Sequence, residues 1–130
     1  MADSRAALLI VEDDESLRQI LARHLRSRNY RVDEAASAEG AVRLLEAGVR
    51  PDLVLLDINL PGDTGWDLLR GPAFAAAGSP PVVVASATTV RRRQLSEFDV
   101  AGYLPKPFAL DTLMDTIERL LTTEDVPHSS

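Results

Sequence analysis

A chain of 130 residues with 45% hydrophobic content builds one domain around one core, and no apolar run approaches the roughly 20 residues that span a bilayer. Its net charge of −6 counts against direct nucleic-acid binding, because contacts to phosphates need a cationic surface. With no cysteine there is no disulfide framework, thiolate metal site or thiol nucleophile, and the separated His24 and His128 do not make a zinc site alone.

The start, Met1-Ala2-Asp3-Ser4-Arg5, has no long apolar stretch after a basic segment, so no signal peptide is expected and the chain is read as cytoplasmic. Residues 6–11, Ala-Ala-Leu-Leu-Ile-Val, form a short apolar strand that runs into the acids Glu12, Asp13, Asp14 and Glu15. A helix follows to about Ser27. Leu17, Ile20, Leu21 and Leu25 recur at helical spacing, with Arg18, Arg23 and Arg26 on the other side and His24 beside the apolar stripe. Asn29 turns the chain into Tyr30-Arg31-Val32-Asp33-Glu34, whose alternation suits a half-exposed edge strand. Ser37 is placed to cap a helix with Ala38, Ala41, Leu44 and Leu45 on one side, and Gly48 supplies its stop.

Leu53-Val54-Leu55-Leu56 is apolar throughout, the pattern of a strand buried on both faces of a parallel sheet, and it ends in Asp57. Pro61, Gly62 and Gly65 mark a loop, and Trp66, Leu68 and Leu69 begin a third helix that Gly71-Pro72 should shorten or break. Residues 81–85 form a fourth apolar strand with Ser86 at its end. Thr88 to Phe98 is read as a modest helix carrying Arg91, Arg92 and Arg93. Val100 to Leu104 is the fifth strand, closing at Pro105-Lys106-Pro107. Leu110, Leu113, Ile117, Leu120 and Leu121 define the last helix, and residues 122–130 are expected to be a polar tail.

Strand and helix thus alternate five times, the pattern of an α/β, doubly wound, five-stranded parallel sheet with helices on both faces. In such sheets ligands collect outside the carboxyl ends of the strands. That edge receives Glu12 and Asp13 from the first strand, Asp57 from the third, Ser86 from the fourth and Lys106 from the fifth. Lys106 is the single lysine beside 13 arginines, a compact ammonium that a planar guanidinium does not replace.

Three carboxylates at one edge repel one another, and a divalent cation relieves them. Oxygen donors without histidine or cysteine select a hard ion, and a partial cage completed by water and phosphate oxygens suits Mg²⁺. Carboxylates can act as nucleophiles and form aspartyl phosphates. A lysine and a hydroxyl at the same edge supply charge and a donor for the phosphoryl oxygens.

The segments Val11-Glu12-Asp13-Asp14-Glu15, Leu55-Leu56-Asp57-Ile58-Asn59-Leu60-Pro61-Gly62, Ala85-Ser86-Ala87 and Gly102-Tyr103-Leu104-Pro105-Lys106-Pro107-Phe108 together resemble the response regulator receiver domain of two-component signalling. The resemblance covers about residues 6–121. It implies a flavodoxin-like sheet of strand order 2-1-3-4-5, and phosphorylation of Asp57 from a phosphohistidine of a histidine kinase or a histidine phosphotransfer protein. It further implies Mg²⁺ held by Asp13, Asp57 and the Asn59 backbone carbonyl, with Glu12 acting through water and Asp14 facing away. Ser86, Ala87 and Lys106 would surround the phosphoryl group, and Tyr103 would be the aromatic that turns inward with the hydroxyl residue. On this reading the protein is not an enzyme but assists its own phosphotransfer and autodephosphorylation.

Two features depart from the family pattern. Ser stands where Thr is commoner, which keeps the hydroxyl. Ser86 to Lys106 spans 20 positions, fewer than is usual, so the intervening helix or its loop should be trimmed. The tail after Leu121 is too short for an effector domain, so a single-domain receiver is expected, a monomer or a phosphorylation-dependent homodimer, passing its signal to a downstream protein. The output face is placed between the fourth helix and the fifth strand, where Arg91, Arg92 and Arg93 are read as a docking patch for an acidic partner surface or a second copy of the chain. Two other readings are disfavoured by the residues. A haloacid dehalogenase-like phosphatase needs a second Asp where Asn59 stands, and a docking-only receiver would lack one of the key residues.

Overall fold

The apolar runs become the strands of one parallel sheet in a computed structural model that describes residues 6–60, 62 and 64–125. The strands are β1 (Ala7–Val11), β2 (Arg31–Ala35), β3 (Leu53–Asp57), β4 (Val82–Ser86) and β5 (Gly102–Pro105), in the order β2-β1-β3-β4-β5. All four neighbouring pairs are parallel, with Val11 opposite Leu56 and Asp57 opposite Ala85. The doubly wound sheet is the one that the alternating pattern predicts, and its flavodoxin-like order is the one that the family resemblance implies. β3 and β4 are buried along their whole length, whereas β2 at the edge is partly exposed.

Successive residues of a strand face opposite sides of the sheet, so each strand feeds two cores. Leu8, Ile10, Leu55, Val83 and Leu104 pack with Leu21 and Leu25 of α1 (Glu15–Arg26) and Leu113 and Ile117 of α6 (Leu110–Asp125). Leu9, Val11, Val54, Leu56 and Val84 face the other way. They meet Ala41 and Leu45 of α2 (Ala38–Glu46), Trp66 and Leu68 of α3 (Gly65–Arg70) and Phe74 of α4 (Pro72–Ala76). No described helix is long and apolar enough to cross a membrane.

Local chemistry sets the helix ends. Asp14 caps α1 by accepting the Leu17 N–H, and Ser37 caps α2 through the Gly40 N–H. The third helix is broken as expected: Gly71 ends α3 in an extended conformation and Pro72 opens α4 at its first position, where a missing N–H costs nothing.

Three boundaries differ from expectation. The helix read over 88–98 is reduced to the six residues of α5 (Arg92–Glu97), because the Ser86 hydroxyl accepts the Thr88 N–H and holds the chain in a turn that competes with helix. β5 starts at Gly102 rather than Val100, since the Val100 N–H still bonds the Leu95 carbonyl at the end of α5. α6 runs on to Asp125, so residues 122–125 are helical rather than tail. Buried Ile117 and Leu121 anchor its last turns. Residues 126–130 and Pro61 lie outside the described residues.

Candidate functional site

The carboxyl ends of β1, β3, β4 and β5 meet at one edge. Just past β1, the Glu12 N–H bonds the Ala35 carbonyl at the end of β2, and its buried carboxylate accepts the Asp14 N–H at 3.1 Å. Asp13 is exposed, and Asp14 is occupied with capping α1, so it turns away from the cluster. β3 delivers Asp57, 4% exposed, whose Oδ1 accepts the Asn59 N–H at 2.8 Å. The start of α3 is drawn close behind it: the Gly65 N–H bonds the Ile58 carbonyl, and a Cβ at Gly65 would lie 2.9 Å from the Asp57 carbonyl oxygen. Only glycine admits that approach.

Lys106 joins the two buried acids. Its Nζ donates to Glu12 Oε1 at 2.6 Å and to Asp57 Oδ2 at 3.1 Å, with 18% of its side chain exposed. Carboxylate oxygens of Glu12, Asp13 and Asp57 lie within 4.8 Å of one another. Three carboxylates against one ammonium leave an excess of negative charge among the described residues of the cluster. Burial pushes the Glu12 carboxyl above its ordinary value, against the hydrogen bonds from Lys106 and the Asp14 N–H, and the Asp57 charge pushes the same way. Burial alone would lower Lys106. The hydrogen bonds and charges of Glu12 and Asp57 outweigh it and raise the ammonium above its ordinary value. An all-oxygen donor set of this kind fits a hard divalent cation.

Ser86 is 1% exposed, and its hydroxyl points at Asn59 rather than at Asp57. It donates to Asn59 Oδ1 at 2.6 Å and accepts the Thr88 N–H at 3.0 Å. The half-buried Tyr103 sends its hydroxyl to the Thr88 carbonyl at 3.5 Å. Ala87 is exposed and lines a small groove with Leu17, Lys106, Pro107 and Phe108. Every residue named for the site from the sequence therefore reaches this edge, although Tyr103 and Ala87 sit at its margin. Arg91, Arg92 and Arg93 are all exposed, and His24 is half-buried beside the α1 stripe.

Two contributors escape the sequence reading. The Thr88 hydroxyl lies 3.0 Å from Ser86 Oγ and 3.3 Å from Asn59 Oδ1. A hydroxyl two residues past a strand-ending Ser is the one signal for it. Arg18, read as lying on the outer side of α1, is instead mostly covered and donates to the Glu12 carbonyl at 2.9 Å and to Glu34 at 3.2 Å. Its main acceptor is a backbone oxygen, which no residue pattern reveals.

The sequence profile of the response regulator receiver domain matches residues 8–118. The chain belongs to that family. Over 126 residues this receiver is 38% identical to the transcriptional activator protein PfeR of Pseudomonas aeruginosa, with 92% of this chain and 40% of that protein covered. The receiver spans about half the length of the curated relatives it matches. Among solved structures, the receiver domain of the hybrid histidine kinase CckA superposes with a TM-score of 0.74 at 33% identity, covering 88% of this chain and 98% of that one. The response regulator TrrA of Thermotoga maritima, solved in complex with Mg²⁺-BeF, also gives 0.74, at 28% identity over 88% of this receiver and 97% of that chain.

Proposed function

We propose that this receiver is a phosphoryl-accepting switch in cytoplasmic signalling in which Asp57 takes a phosphoryl group from a phosphohistidine of a histidine kinase or histidine phosphotransfer protein. The observation that carries the reading is the buried Asp57 carboxylate, 3.1 Å from Lys106 Nζ and clustered with Glu12 and Asp13 at the carboxyl edge of the sheet. An Asp57 oxygen forms the new O–P bond as the P–N bond of the phosphohistidine breaks, and that electron pair returns to the imidazole. Asp13, Asp57 and the Asn59 backbone carbonyl would hold Mg²⁺, with Glu12 acting through water; bound there, the ion neutralises charge on the transferring phosphoryl oxygens. The burial of Glu12 and Asp57 away from bulk water strengthens their part in such interactions.

Lys106 then has a new partner. Its ammonium exchanges part of its bond to Asp57 for a phosphoryl oxygen, and the Ser86 hydroxyl leaves Asn59 to donate to another. Ala87 leaves that approach open, having no side chain beyond Cβ. Movement of Ser86 withdraws its support from the Thr88 turn, the segment that Tyr103 touches and that leads into α5, so the change reaches Arg91, Arg92 and Arg93. Ligand-dependent bias of such a two-state element is the physical content of the switch.

The test is intact-mass measurement after incubation with acetyl phosphate and Mg²⁺. The wild type should gain one phosphoryl group, while Asp57→Ala, or wild type in excess EDTA, should gain none. Uptake at the wild-type rate in either control overturns the assignment.

A further inference from the structure

We propose that Arg18 is a positioning residue for the acid pocket: its guanidinium, anchored on Glu34, fixes the main chain at Glu12 and so sets the aim of the Glu12 and Asp13 carboxylates toward a divalent cation. This rests on the reading of that pocket as a cation site.

Arg18 lies one turn into α1, yet only 15% of its side chain is exposed. Its fork bridges two elements: Nη1 donates to the Glu12 carbonyl at 2.9 Å and Nε to Glu34 Oε1 at 3.2 Å. Glu34 is itself fixed, because Arg26 Nη1 lies 3.1 Å from its other oxygen while Arg26 Nη2 holds the Val32 carbonyl at 2.8 Å. The residue after Glu34 completes the arrangement, since the Ala35 carbonyl accepts the Glu12 N–H at 3.0 Å. The backbone of Glu12 is therefore tied to the end of β2 on both sides, directly through its N–H and through Arg18 by its carbonyl. Two residues on, Asp14 is locked as the helix cap. Asp13 stands between these fixed points with an exposed side chain, so the direction of its carboxylate depends on the backbone that they hold.

Charge alone makes the opposite demand. A guanidinium bonded to the Glu12 carbonyl adds positive charge beside the pocket that opposes a bound cation, and Glu34 offsets that charge by pairing with it. The two effects differ in sign, which makes them separable. Loss of positioning weakens cation binding, whereas loss of a competing charge strengthens it.

The experiment is a Mg²⁺ titration of the whole chain, followed by fluorescence of the single tryptophan, Trp66, which lines a cavity with Asp13 and Asn59, and repeated by calorimetry. Wild type is compared with Arg18→Gln and Arg18→Lys, each checked for cooperative thermal unfolding. Arg18→Gln should raise the Mg²⁺ dissociation constant by about 10-fold, the lower end of the range for partners that orient metal ligands. Arg18→Lys keeps the charge without the fork and should recover only part of the loss. Mg²⁺ affinity equal to or tighter than wild type in Arg18→Gln overturns the inference. If that variant does not fold, Arg18→Lys decides, because it keeps the charge and loses the fork: weakened binding supports the inference and unchanged affinity overturns it. A wild type with no saturable response overturns the cation pocket itself and this inference with it.

Discussion

The ammonium of Lys106 sits 3.1 Å from the carboxylate of Asp57, so the only lysine of the chain already contacts the residue proposed to carry the phosphoryl group. On the proposed function, attack by Asp57 would depend on the nucleophile and on the cation, whereas holding the new phosphoryl group in one orientation would depend on Lys106. Lys106→Ala should therefore accept phosphate from acetyl phosphate, more slowly than wild type, and fail to change its affinity for a partner on phosphorylation. Intact mass follows the first step and partner pulldown the second. Normal switching in this variant would contradict the role.

Neighbouring acids should behave differently from each other. Asp13 belongs to the carboxylate cluster, while Asp14 accepts the Leu17 N–H as the cap of α1. Asp13→Asn should weaken Mg²⁺ binding in a Trp66 fluorescence titration and leave stability little changed. Asp14→Ala should cost about 1 kcal/mol in urea denaturation, the usual cost of losing a helix cap, and largely spare Mg²⁺ affinity. Equal losses of affinity would place both acids at the cation.

The metal-free protein should carry a pH signature from Glu12. Burial raises its carboxyl above 4.5, so the folded state holds that proton more tightly than the unfolded chain does. Its contribution to stability is accordingly present below pH 4.5 and lost as pH rises through the raised folded-state value. Lys106, raised above 10.5, keeps its contribution throughout this window and loses it only as pH climbs above that value. In EDTA, Glu12→Gln should match wild type below pH 4.5 and become the more stable of the two toward neutrality. Parallel urea midpoints across the range would show that Glu12 gains no proton affinity on folding.

Much of this was legible in the residues because apolar runs and their terminal acids fix both strand and active edge. Leu53–Leu56 followed by Asp57 needs no tertiary information to be read as a buried strand with a carboxylate at its mouth. Asp14 was separable from Asp13 only through the family resemblance, and the capping bond to Leu17 supplies the physical reason. The shortened α5 was half legible. The interval from Ser86 to Lys106, short against the family pattern, leads to the expectation of a trimmed helix or loop, and the Ser86–Thr88 turn gives the physical reason that helix begins only at Arg92. Arg18 was misplaced because amphipathic spacing assigns charged residues to solvent, and a buried carbonyl that needs a donor leaves no mark in the pattern.

The last prediction concerns the route by which the signal leaves the molecule. α5 is held unevenly. Phe98, just past its C-terminal end, stacks on Trp66 of α3 with centroids 4.8 Å apart, and the Arg70 guanidinium lies 5.0 Å over the same ring. Its other end begins at Arg91 with no side-chain cap, next to the Thr88 turn that Ser86 supports. A change at Ser86 should therefore move the N-terminal end of α5 about the aromatic contact, and that end presents Arg91, Arg92 and Arg93 to solvent. Three exposed cations on a chain of net charge −6 suit an acidic partner surface or an acidic patch on a second copy, through contacts that salt screens. The double variant Arg92→Glu/Arg93→Glu tests this cleanly, because acids near a helix N-terminus favour the helix and any lost association cannot be blamed on its unfolding. Phosphate uptake at Asp57 should be unchanged, and phosphorylation-dependent association, followed by light scattering and pulldown, should disappear. In the wild type the same association should weaken as salt is added. Association that survives the double reversal would move the output face away from α5, to the first helix around Gln19.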